Sequence, residues 1–171
     1  VPDGAYGQIG RTFSGGDVDG DGLSDLLMSD SSNLTLMLAA SLGAMGEHDL
    51  SSESGYQFRP RRCRGGEQAL ADINGDDFAD IVISGESICI GGADLSEQVG
   101  VFSGADLEEG LDLYISDADH IILDVAGTNV SSMGDMDGDG LDDLLIGGGS
   151  GVSEPVLFLG STVSGATDLT A

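Results

Sequence analysis

The chain contains no lysine and no tryptophan, and only five arginines, two cysteines, three prolines and two histidines in 171 residues. Each scarcity excludes something. Set against 31 acidic residues, the five arginines leave a formal net charge of −26, which repels nucleic acid and anionic membrane surfaces and removes both as expected partners. No apolar run approaches the ~20 residues of a membrane-spanning helix. CxxC spacing is absent, so nothing points to a zinc or thioredoxin-type site. Cys63 and Cys89 allow one intramolecular pairing and leave two readings open, a disulfide within one repeat or two separate buried thiols. GxSxG and HExxH are also missing. His48 in "GEHDL" and His120 after "SDAD" read as exposed loop or strand-edge residues, so the chain is not expected to be an enzyme. With aromatics at 5%, the core must come from Leu, Ile, Val and Met. The 29 glycines follow no Gly-X-Y period and fit tight turns between short strands. The chain opens on Val without a signal-peptide pattern, which reads as a mature product or a segment of something longer.

What is present is one acidic loop, three times over: "DVDGDGLSD" at 17–25, "DINGDDFAD" at 72–80 and "DMDGDGLDD" at 135–143. Oxygen-bearing side chains stand at loop positions 1, 3, 5 and 9, the spacing that wraps a short turn around a hard cation. Such a cation takes six to eight oxygens at ~2.3–2.6 Å, from carboxylates and backbone carbonyls. The first loop would use Asp17, Asp19, Asp21, Asp25 and the carbonyl of Leu23. The second would use Asp72, Asn74, Asp76, Asp80 and the carbonyl of Phe78, and the third Asp135, Asp137, Asp139, Asp143 and the carbonyl of Leu141. Three calcium ions are therefore expected. They would bring the charge to roughly −20, so they explain part of the acidic excess. Gly20, Gly75 and Gly138 at position 4, with Gly22 and Gly140 at position 6, permit the sharp backbone path. The second loop has Asp77 at position 6 and one carboxylate fewer, which marks it as the weakest or most strained. Position 12, where an EF-hand needs a bidentate carboxylate, holds Met28, Ile83 and Ile146, and the flanks read as strands; the EF-hand reading fails on both counts.

First ligands at Asp17, Asp72 and Asp135 define a single repeat array over 1–171, with approximate repeats 1–55, 56–119 and 120–171. A strand is expected after each loop, at 26–29, 81–84 and 144–147. A second follows a short turn, at 34–41, 87–92 and 155–162, and a third lies at 56–63 and 120–127. "VFSGADL" at 101–107 resembles "TVSGATDL" at 162–169, and the stretch beginning at Gly100 reads as an insertion in the second repeat. By this alignment the chain starts after one strand of the period and stops ahead of its equivalent, leaving an edge open for pairing with another chain.

The three loops and their flanking short strands resemble the FG-GAP repeats of integrin-type β-propellers, whose calcium loop reads DxDGDGxxDL. "GRTFSGGD" and "SSMGD" are only loose counterparts of the family's Phe-Gly signature. The resemblance implies an all-β fold of three antiparallel blades, either part of a β-propeller or an open head-to-tail stack. Three blades do not close a ring; a heterologous contact that does not close gives a filament. The expected function is an extracellular or cell-surface structural protein, rigidified by Ca²⁺ and assembling with copies of itself. The alternative is an adhesion module binding a protein or glycan. Arg59, Arg61, Arg62 and Arg64 form the one basic cluster, either a docking surface for an acidic partner such as another copy or a solvated strand. Asn33-Leu34-Thr35 and Asn129-Val130-Ser131 match the N-glycosylation pattern and are compatible with an extracellular location.

Overall fold

Each acidic loop is the tip of a β-hairpin. Strand β1 (Phe13–Gly16) returns as β2 (Asp25–Ser29), with Gly16 opposite Asp25. After β3 (Leu34–Met37) and β4 (Tyr56–Phe58), the pattern recurs in β5 (Gln68–Ala71) and β6 (Asp80–Ser84), where Ala71 faces Asp80. It recurs again, beyond β7 (Gln98–Phe102) and β8 (His120–Leu123), in β9 (Asn129–Gly134) and β10 (Asp143–Gly147), with a bulge where Asp143 faces Gly134. The chain ends through β11 (Val156–Phe158), the short helix α1 (Gly160–Ser164) and β12 (Asp168–Thr170). The structure is a computed structural model and describes residues 12–29, 34–42, 56–58, 67–84, 98–107, 118–123, 129–147, 154–164 and 168–170.

The strands form three sheets of consecutive antiparallel neighbours. The first has the order β1-β2-β3-β4 and the third β11-β10-β9. The middle sheet is β12-β8-β7-β6-β5, in which β12 joins the edge strand β8 in parallel. Because side chains alternate along a strand, the middle sheet serves two cores at once. Leu70, Ile81, Ile83 and Phe102 pack against Leu27, Leu34 and Leu36 of the first sheet. Ala69, Ala71, Val82, Val99, Val101 and Ile122 pack against Val130, Leu144, Ile146 and Phe158 of the third. At ~25 cal/mol per Å² of buried apolar surface, these two layers are the main source of stability.

The all-β expectation holds, with α1 and two 3₁₀ turns, Ala39–Ser41 and Gly104–Asp106, as the helical exceptions among the described residues. The strands placed after the loops are β2, β6 and β10, and those placed at 34–41 and 155–162 begin as β3 and β11 before turning. Several expectations need correction. Strands β1, β5 and β9, which lead into the loops, were not foreseen. The partner of β6 is β7, which lies largely in the stretch read as an insertion; the strand expected at 87–92 falls outside the described residues. The segment 101–107 matches 157–163 rather than 162–169, because Gly104 and Gly160 occupy the same place after the third strand of a hairpin unit. The terminal stretch contains β12, which pairs with β8 of the middle sheet, while the third sheet has no strand beyond β11 among the described residues. The basic cluster Arg59, Arg61, Arg62 and Arg64, both cysteines, His48 and Asn33 lie outside the described residues.

Candidate metal centres

An aspartate at the head of a tight loop can hold the following amides, and each loop does this identically. One carboxylate oxygen of position 1 accepts the N–H of position 4: Gly20 to Asp17 at 2.8 Å, Gly75 to Asp72 at 2.7 Å, Gly138 to Asp135 at 2.6 Å. Its other oxygen accepts the N–H of position 6, from Gly22, Asp77 and Gly140. Position 3 accepts from position 5, with Asn74 taking the same part as Asp19 and Asp137. Position 5 accepts from position 7, so the amides of Leu23, Phe78 and Leu141 are bound by Asp21, Asp76 and Asp139. These bonds turn successive amides inward and need positive φ at positions 4 and 6. Glycine meets that need in five of the six places, and Asp77 meets it at φ 69°. Among the described residues Asp77 is the one non-glycine with positive φ, a conformation that aspartate tolerates better than most side chains.

Each loop gathers several oxygen-bearing side chains at its tip. Ligand oxygens of Asp17, Asp19 and Asp21 lie within 4.8 Å of one another, and so do those of Asp135, Asp137 and Asp139. Oxygens sharing one ion at ~2.4 Å can be at most ~4.8 Å apart, so each triad is placed to hold a single metal ion. The donor set is all oxygen, which suits a hard cation. The second loop repeats this hydrogen-bond pattern with the amide of Asn74 in place of a third carboxylate.

Position 9 behaves differently from the other three. Asp25, Asp80 and Asp143 are 1%, 1% and 0% exposed. One oxygen of each accepts the amide of position 2 in its own loop, from Val18, Ile73 and Met136. The other reaches across to the start of the turn after the next strand, accepting from Ala39 at 2.8 Å, Gly104 at 3.1 Å and Gly160 at 3.0 Å. The buried aspartate thus pins the metal loop to the far end of its own sheet. Burial pushes the Asp25 carboxyl above its ordinary range, with the charges of Asp19 and Asp17 adding to the effect. Burial raises Asp80 to about 6, and Asp76 and Asp72 push in the same direction. Sequence reasoning anticipated these aspartates as ligands but missed their role as anchors. The available signal was a small residue shortly after each third strand, at Ala39, Gly104 and Gly160.

The loops also touch one another in register. The amide of Ala79, position 8 of the second loop, donates to the carbonyl of Asp17, position 1 of the first, at 2.6 Å. Asp142 repeats this with Asp72 at 2.8 Å, and its carboxylate also accepts the Asp72 amide. Position 7 lies over position 4 of the preceding loop: a Cβ on Gly20 would sit 2.8 Å from the Phe78 ring, and one on Gly75 would sit 2.6 Å from Leu141. A cleft of about 600 Å³ runs where β1, β5 and β9 lie side by side, lined by Ser14, Gln68, Ser131, Ser132, Asp77 and Asp142 among others.

No protein-family model matches the chain, and no curated protein matches it. Among the described residues, no helix is long and apolar enough to cross a membrane.

Proposed function

We propose that this is an extracellular or cell-surface calcium-binding structural protein, with three FG-GAP-like blades rigidified by Ca²⁺ that assemble with further copies into a fibre or matrix. The observation that carries this reading is the threefold recurrence of one loop geometry around oxygen donors, with a buried, doubly hydrogen-bonded aspartate closing each. An ionised carboxylate buried without a cation is costly. The chain has no lysine and five arginines against 31 acidic residues, so a bound cation is the natural compensation. Positions 1, 3, 5 and 9, with the carbonyls of Leu23, Phe78 and Leu141, would hold one ion per loop. Ligation coupled to folding then stabilises the native state by mass action. Modules of this kind work at ~10⁻⁴–10⁻³ M calcium, which is an extracellular supply.

Catalysis has no part in this reading. The test is calorimetric titration of the chelated protein with calcium. Uptake of three ions per chain is expected, and no uptake at millimolar calcium would overturn the reading.

One observation favours a second reading, an adhesion or ligand-binding module. The cleft beside β1, β5 and β9 is lined by Ser14, Ser131 and Ser132, whose hydroxyls can donate to and accept from a bound protein or glycan group.

A further inference from the structure

The contacts between successive loops define two complementary half-contacts that stay open among the described residues. Within the chain, position 7 of one loop covers position 4 of the loop before it, and position 8 donates its amide to the carbonyl of position 1. The residue at position 2 is buried under the following sheet, as Val18 and Ile73 show. Asp17 opens the first of the three loops and Asp143 closes the third. Accordingly, Leu23 at position 7 of the first loop is 52% exposed, while its equivalents Phe78 and Leu141 are partly buried. Ser24 at position 8 is exposed where Ala79 is buried. At the other end Met136, the equivalent of Val18 and Ile73, is 61% exposed. A Cβ on Gly138 meets nothing within 4 Å, unlike one on Gly20 or Gly75.

We infer that the first loop of one copy docks on the third loop of a second copy, reproducing the internal loop-to-loop contact between molecules. This inference rests on the proposed calcium-bound state of the loops and names the surfaces through which copies join. Leu23 would cover Gly138, the Ser24 amide would donate to the Asp135 carbonyl, and Met136 would be buried beneath the incoming β1–β2 hairpin. The occupant is a second copy because the two exposed sets are the two halves of a contact the chain already makes twice. The contact is confined to the loop rim, since Met28 and Met37 on the far side of the first sheet are already buried. It is heterologous, so it propagates head to tail unless rotation closes a ring. Two chains of charge −26 repel each other. Docking therefore needs bound calcium and enough salt to shorten the Debye length to ~8 Å, as at physiological ionic strength.

The experiment is particle mass by light scattering on the full chain at physiological salt, with millimolar calcium or chelator. Calcium stoichiometry and thermal melts are measured on the same samples. The wild type is compared with Leu23→Glu and Met136→Glu, which change exposed side chains at opposite ends, and with the milder Leu23→Gln in case the charge disturbs the loop. The expected result is mass that climbs with wild-type concentration in calcium, and at least a tenfold higher concentration for association of each single variant. An equimolar mixture of Leu23→Glu and Met136→Glu should stop at a dimer, because each supplies the half-contact the other lacks. A wild type that takes up calcium and stays monomeric overturns the docking alone. So does assembly of folded variants at wild-type concentrations, or a mixture that stays monomeric. Association that is equally strong in chelator overturns the calcium requirement of the docking, while absence of calcium uptake on the same samples overturns the calcium reading of the loops.

Discussion

Gly104 donates its backbone amide to Oδ1 of Asp80 at 3.1 Å, across 24 residues of chain. The other oxygen of the same carboxylate accepts the amide of Ile73. One buried aspartate therefore fixes both the entry of the acidic loop and the end of strand β7.

Removing that carboxylate should cost stability with or without metal. Asp80→Ala leaves two amides without their acceptor, at about 1–3 kcal/mol for each buried group. Asp76→Ser behaves in the opposite sense in chelator, because an exposed like charge is removed and the hydroxyl can still accept the Phe78 amide. Denaturant melts in chelator should show a loss for the first and no loss for the second, while calorimetry shows both losing the second calcium.

The metal-free protein should become less stable as pH rises through the range 4 to 6. The folded-state carboxyl of Asp80 is raised to about 6 and that of Asp25 is raised as well, both chiefly by burial. A folded pKa above the unfolded value of ~3.9 means that the native state holds more protons between the two, so its contribution is full below ~3.9 and lost through the folded pKa. With millimolar calcium the slope should reverse, because ligation requires the ionised form. Melts at several pH values in both media provide the check.

At Asp77 the backbone conformation, rather than the carboxylate, should decide the outcome of substitution. With φ at 69°, Asp77→Gly is expected to leave the melting temperature equal or higher. Asp77→Val, β-branched at positive φ, should lower stability by about 1–3 kcal/mol.

Gly16 is a packing glycine. A Cβ there would stand 2.8 Å from the Ala79 Cβ and 2.9 Å from the Leu70 Cβ, both held close to the backbone of the middle sheet. Gly16→Ala should therefore cost about 1–3 kcal/mol by overpacking and weaken the adjacent clasp between Ala79 and Asp17. Faster hydrogen exchange at the Ala79 amide would report it.

The parts of this fold that can be read from sequence are those with strong periodic signals. Spacing at positions 1, 3, 5 and 9 identifies the loops, and the aliphatic runs after Asp25, Asp80 and Asp143 identify β2, β6 and β10. Strands β1, β5 and β9 escaped because "FSGG", "QALA" and "NVSSMG" carry small residues of weak strand propensity. They are strands because small side chains let the sheets approach at the loop rim, which is a tertiary reason. The partner of β6 escaped for another cause: loop length between hairpin strands is weakly constrained, so an equal spacing was assumed where the chain takes a longer path. The anchoring role of Asp25, Asp80 and Asp143 depends on amides 14, 24 and 17 residues away, a distance at which local pattern carries no information.

The backbone clasps between loops, Ala79 to Asp17 and Asp142 to Asp72, have a mechanical meaning. They connect the three acidic turns in series along one rim, so tension passed from sheet to sheet travels through the loop segments. On the proposed calcium binding, such a rim would be pliant when depleted and taut when loaded, and the force needed to peel one sheet from the next would become a readout of calcium concentration.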